Sequence, residues 1–196
     1  MRLLVYCYGP FSLEKNIFCK NFISENKNFK LIELHKIRKK ITGSIIPKDR
    51  ELELQVKQEI ENKCLPLLAK GVPILVNGLF LNKEARVSFL ESIQKKSKNT
   101  FKKIALAFPV PSPVVAFEES KKDKILKELS FDSIRSQVSI FNKALTSEEA
   151  DLLIDEIKTD SNLLEISTKL WGEDRTISCD NFKKLAEYFR CSSSFI

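Results

Sequence analysis

An α/β fold, with a mainly parallel sheet sandwiched between helices, is predicted by three features of this 196-residue sequence. Short apolar runs at 3–7, 29–34 (interrupted by Lys30 and Glu33), 74–76 and 104–110 alternate with longer amphipathic stretches. Unbroken runs mark strands buried on both faces, as in parallel sheets. The first run also turns directly into a helix start at Gly9-Pro10, and the third ends on a polar residue, Asn77. Ligands of open parallel sheets gather at that carboxyl end of the strands.

Taken in order, residues 16–25 place Ile17, Phe18, Phe22 and Ile23 on one helical face, and 26–28 end that helix. After the run at 29–34, the basic segment 35–41 carries Ile37 and Ile41 four apart and stops at Gly43. Asp49 is the expected cap of a long helix in which Leu52, Val56, Ile60 and Cys64 recur. Pro66 is expected to kink or restart it, because proline lacks the amide donor. Gly71 precedes the strand at 74–76, and Asn82 caps a helix with Val87, Leu90 and Ile93 inward. The tract 95–103 is basic, and Pro109, Pro111 and Pro113 close the strand at 104–110. Residues 132–141 read as helix, and Thr146 with Glu149 forms a T-x-x-E capping box opening another over 146–157. Helices are expected over 161–171 and 180–189, so the boundary falls near 158, with an α/β unit at 1–158 and a helical extension at 159–196.

Composition narrows the function classes. With 43% hydrophobic and 30% charged residues, the chain reads as a soluble globular protein without a membrane span or signal peptide, and a cytoplasmic location is expected. Cys7, Cys19, Cys64, Cys179 and Cys191 are scattered and His35 is the one histidine, which argues against zinc and for buried reduced thiols. A net charge of +7 suits a polyanion such as nucleic acid, or simply a lysine-rich solvated surface. Lys36, Arg38, Lys39 and Lys40 together with the tract 95–103 could track a nucleic-acid backbone, with Phe101 placed for stacking.

The first turn carries the chemistry. Against the phosphate-binding pattern G-x-x-x-x-G-K-[ST], residues 9–16 keep Gly9 and Lys15, but Glu14 replaces the second glycine and Asn16 the magnesium-binding hydroxyl. In such loops convergent amides and the helix dipole hold phosphate, and the lysine neutralises it.

The series G-P-x-x-x-x-K-N, H-K-I-R-K-K-I-T-G, G-V-P-I-L-V-N-G-L-F-L-N-K-E-A-R and F-P-V-P-S-P resembles, over about residues 1–155, the P-loop kinases of the polynucleotide 5′-kinase type. The resemblance implies a P-loop kinase-like sandwich in which Gly9, Lys15 and Asn16 form the nucleotide site and Lys15 contacts the β- and γ-phosphates. It implies that His35 occupies the position of the catalytic Asp as general base and that Arg38 touches or orients the acceptor phosphate, with Asn82 and Arg86 matching the acceptor-side N-x-x-x-R. The residues themselves offer plainer roles: a partly exposed imidazole for His35, a cap for Asn82 and a solvated helix face for Arg86. Asn77 replaces an acidic residue near the magnesium, and Glu118, Glu119, Lys121 and Lys122 stand where lid arginines are expected. Arg135 could partly substitute for them, or form a helix-surface salt bridge.

Because phosphoryl transfer depends on positioning and charge neutralisation, these losses compound. They point to a degenerate, non-catalytic or weakly catalytic binding protein, with nucleic acid in the inherited groove or a protein on the C-terminal helices. The alternative is an active ATP-dependent 5′-hydroxyl polynucleotide kinase, with ATP and magnesium as cofactors; the degenerate form requires neither. No resident metal site is expected.

Overall fold

The computed structural model describes residues 2–47, 49–108, 110, 112–146 and 163–166. Strands β1 (Leu3–Tyr8), β2 (Lys30–Glu33), β3 (Ile74–Asn77), β4 (Lys102–Ala107) and β5 (Leu163–Ile166) form one sheet in the order β2-β3-β1-β4-β5. All its pairings are parallel. Helices α1 (Leu13–Glu25), α2 (Leu34–Thr42), α3 (Arg50–Ala69), α4 (Lys83–Lys96), α5 (Pro113–Ser120) and α6 (Phe131–Thr146) connect and cover it.

The first strand shows why the sheet needs cover on both faces. Successive side chains of a strand point to opposite faces, and Leu4, Tyr6 and Tyr8 enter one core with Val56 and Ile60 of α3 and Phe89 and Ile93 of α4. Leu3, Val5 and Cys7 enter the other core with Phe18, Cys19 and Phe22 of α1. A third core, under α5 and α6, joins Phe11, Leu79, Ile134 and Val138. Cys7, Cys19 and Cys64 are buried free thiols, as read from the sequence.

Caps fall where the side chains placed them. Asp49 accepts from the Leu52 amide at 2.9 Å and Asn82 from the Ala85 amide at 3.0 Å, while Gly43 closes α2. Three expectations are corrected. Of the kink or restart expected at Pro66, the restart is excluded, because helix α3 runs as one helix from Arg50 to Ala69; the proline removes one donor in the last turn, and its carbonyl still accepts from Lys70 at 3.2 Å. Residues 163–166, expected within a helix, are the edge strand β5, paired with β4 from Lys103↔Leu163 to Leu106↔Ile166. That strand lies beyond the boundary placed at 158. Phe101 is 4% exposed within the α3 and α4 core, so it offers no stacking surface. The helix expected over 180–189, and the capping box of Thr146 beyond that residue, lie outside the described residues.

Candidate functional site

The carboxyl ends of β1 and β3 lie side by side, and the site candidates sit in the loops that leave them. Beyond the strands those loops go on pairing: the Gly9 amide donates to Leu79 O at 2.8 Å and the Gly78 amide to Cys7 O at 3.1 Å. Gly9 lies at φ +130°, and a Cβ there would stand 2.4 Å from the Phe108 carbonyl oxygen. The glycine thus lets the first turn press against the end of β4, whose Phe108 amide donates to Tyr8 O at 2.8 Å.

Lys15, in the first turn of α1, is 1% exposed. Its ammonium donates to Gly9 O and to Gly78 O, each at 2.7 Å. It therefore ties the loop after β1 to the loop after β3. Burial pushes this ammonium from its ordinary 10.5 down to about 8. Two of the turn's amides are engaged as well: Phe11 N–H donates to Gln137 Oε1 at 3.1 Å and Lys15 N–H to Ser12 Oγ at 3.2 Å. An anion cradle needs such amides convergent and unpaired.

Asn16 and Asn77 pair with each other, the Asn77 amide donating to Asn16 Oδ1 at 2.9 Å. The Asn16 amide in turn donates to Asp123 Oδ2 at 3.5 Å. Asp123 Oδ1 accepts from the Ile125 and Leu126 amides at 2.8 and 3.1 Å, fixing the turn between α5 and α6. Burial opposes the charge, but these amide bonds and that of Asn16 hold the Asp123 carboxyl below its ordinary value. Among the described residues no three His, Cys, Asp or Glu converge.

His35 is 2% exposed, which corrects the reading of a partly exposed imidazole. Its Nε2 lies 3.6 Å from Glu33 Oε1 and its ring meets Phe11 edge-on. Burial outweighs Glu33 and lowers its pKa from the ordinary 6.5 to about 4, so at neutral pH it is an uncharged, weak base. Between those values the unfolded chain binds a proton that the folded chain refuses, so stability falls as pH drops through this window. Urea unfolding should show wild type losing about 2 kcal/mol between pH 7 and pH 5, with the loss absent in His35→Gln. An equal loss in that variant would assign the acid sensitivity elsewhere.

Arg38 is 4% exposed and forms a two-pronged pair with Glu53 of α3 at 2.8 Å through each nitrogen. Arg86 is not the solvated residue its spacing suggests. It is 5% exposed, stacks over the Tyr8 ring at 4.8 Å and donates to Phe80 O at 3.2 Å. Phe80 itself sits at φ 42°, an unusual backbone for a bulky residue, with its ring folded so closely over Gly78 that a Cβ there would stand 2.2 Å away. In the segment where the resemblance implies lid arginines, Lys121 stacks over Phe117 at 3.9 Å, and Arg135 pairs with Asp132 at 3.0 Å as the surface salt bridge read for it.

The structure brings Gly9 and Lys15 together, and joins Asn16 to Asn77. Arg38 and Asn82 line a separate cavity of ≈ 390 Å³, walled by Phe80 and Phe89. Lys15, His35 and Arg86 do not line it. The residues present do not fit magnesium and ATP: the Lys15 ammonium and the Gly9, Phe11 and Lys15 amides are bonded inward, and Asn16 and Asn77, where the resemblance implies a metal-binding hydroxyl and carboxylate, are carboxamides bonded to each other. Sequence reasoning missed Glu53, Gln137 and Asp123. The pattern Asp123-x-Ile125-Leu126, a capping residue before a short turn, was the available signal for the last.

The chain matches no sequence-family model and no curated protein. Solved structures are similar in fold. A chain of the Pnkp1/Rnl/Hen1 RNA repair complex matches with TM-score 0.59 and 13% identity over 71% of this chain, which spans 44% of that one. A sugar kinase from a Janibacter species matches with TM-score 0.55 and 12% identity over 95% of this chain and 93% of its own. A gluconokinase from Sinorhizobium meliloti 1021 matches with TM-score 0.52 and 16% identity, over 98% of each chain. The fold is that of the P-loop kinases. Among the described residues no helix is long and apolar enough to cross a membrane.

Proposed function

We propose that this chain is a non-catalytic relative of the P-loop kinases, a cytoplasmic binding protein that takes nucleic acid as its partner without using ATP or magnesium. The observation that carries this reading is the Lys15 ammonium, buried and bonded to the carbonyls of Gly9 and Gly78. In a working loop that charge faces phosphate; here it joins two loops of its own fold. The paired Asn16 and Asn77 and the Arg38–Glu53 pair support the same reading, since each candidate group is already engaged within the chain.

The partner rests on the net charge of +7 and on a structural neighbour that belongs to an RNA repair complex. The competing reading, an active 5′-hydroxyl polynucleotide kinase, requires Lys15 to leave both carbonyls. Incubation with γ-labelled ATP, magnesium and 5′-hydroxyl RNA or DNA should give no more labelled product than a reaction without protein. Label transfer that disappears in a Lys15 variant would replace this reading with the catalytic one.

A further inference from the structure

The basic segments of this chain do not form one path. Helix α2 leaves the carboxyl end of β2, whereas the tract 95–103 ends α4 and begins β4 at the opposite, amino-terminal edge of the sheet. On α2, Lys36 pairs with Glu33 and Lys39 with Glu128, so much of that helix's charge is met within the fold. The amino-terminal edge is different. Arg2, Lys27, Lys30, Lys70, Lys98 and Lys102 each lie at, or within four residues before, the first residue of a strand. All six are exposed, and none forms an ion pair among the described residues. Glu25, at the end of α1, shares this edge as an acidic neighbour.

Pairing aligns these cations across the sheet. Lys30 of β2 is level with Ile74 of β3, Ile74 with Leu4 of β1, and Leu3 with Lys102 of β4. The Lys102 amide donates to Arg2 O at 3.0 Å, which places Arg2 beside it in the row. Three interstrand steps of about 4.8 Å put Lys30 and Lys102 roughly 14 Å apart. A nucleic-acid strand carries one phosphate per about 3.4 Å of axis, so that span meets about four phosphates.

Lysines near helix C-termini also complement the helix dipole; Lys95 and Lys96 in the last turn of α4 fit that role, as do Lys70 at the C-cap of α3 and Lys27 and Lys98 just past the C-caps of α1 and α4. Arg2, Lys30 and Lys102 do not, because they precede or begin strands. Among the described residues the exposed large apolar side chains, Ile17, Leu54, Val114, Phe131 and Ile140, all belong to helices. None of them precedes a strand start to give this edge an apolar anchor for a lipid surface.

We propose that the amino-terminal edge of the sheet, bearing Arg2, Lys27, Lys30, Lys70, Lys98 and Lys102, is a nucleic-acid backbone-binding surface on the side of the sheet opposite the kinase-like site. This inference rests on the nucleic-acid partner proposed above. With Phe101 buried, recognition is of phosphates and independent of base sequence.

The test is fluorescence anisotropy of labelled, mixed-sequence single-stranded RNA and duplex DNA across a salt series. The triple variant Lys30→Glu, Lys98→Glu, Lys102→Glu should bind at least about tenfold more weakly, and the slope of log K against log salt for RNA should shrink by about 2. The corresponding triple Gln variant, free of added repulsion, should lose the same slope; full binding by it would overturn the proposal. Undiminished binding by the Glu variant, with loss in Lys36→Glu, Lys39→Glu instead, would overturn this surface and leave the partner standing. Wild type that binds neither nucleic acid, or binds only phosphatidylserine vesicles, would overturn surface and partner together.

Discussion

Replacing Lys15 with alanine should lower the unfolding free energy by about 3 kcal/mol, the cost of orphaning two buried carbonyls and opening a cavity, less the relief of no longer burying a charge. The corresponding fall in Tm is about 6–12 °C for a chain of this size. The two orphaned acceptors are Gly9 O and Gly78 O, both bonded to the ammonium at 2.7 Å. Lys15→Met, which keeps most of the volume, should recover part of the loss but not all, because methionine donates no hydrogen bond. A lysine held ready for phosphate predicts the opposite, since removing an unpaired buried charge relieves the fold. Urea or thermal unfolding of the two variants separates these cases, and a Lys15→Ala protein as stable as wild type would dismiss the internal role.

Gly9→Ala should cost at least as much, about 3–4 kcal/mol. Two effects act together there. A φ of +130° is closed to alanine, and its Cβ would stand 2.4 Å from the Phe108 carbonyl oxygen. Relief requires the first turn to move off β4, loosening the Phe108 amide bond to Tyr8 O and the Gly9 amide bond to Leu79 O. The loss should appear as a lower urea midpoint with an unchanged slope. A variant within about 0.5 kcal/mol of wild type would mean that the turn is free to shift and that its close packing against Phe108 does not constrain it.

Much of this fold is legible because local chemistry and tertiary structure agree. Asp49 and Asn82 read as caps from their side chains alone, and both cap in the structure. The buried strands β1 and β3 read as strands because both faces are apolar. The edge strand β5 fails that test. Leu163-Leu164-Glu165-Ile166 sits in a stretch whose apolar spacing also suits a helix, and pairing with β4 decides the outcome.

The site is less legible, for a physical reason. The sequence shows that Glu14, Asn16 and Asn77 depart from a phosphate-binding pattern, but not what the remaining groups do instead. Lys15 bonds to main-chain carbonyls, one of them 63 residues away, and backbone acceptors leave no mark in side-chain spacing. Arg86 follows its cap by one turn, as a solvated residue would, yet the Tyr8 ring beneath it belongs to another element. His35 lies in a basic segment, while its burial draws on elements remote in sequence, including Phe11.

The most direct test of Lys15 as a structural residue is isothermal titration calorimetry of ATP into the wild-type protein, with and without magnesium. A lysine committed to Gly9 O and Gly78 O predicts no saturable heat at ATP concentrations on the order of 1 mM, where only about 4 kcal/mol of binding free energy is needed for half-occupancy. Magnesium-dependent binding in the micromolar range would mean that Lys15 exchanges its carbonyls for phosphate, and would contradict a protein that does without ATP.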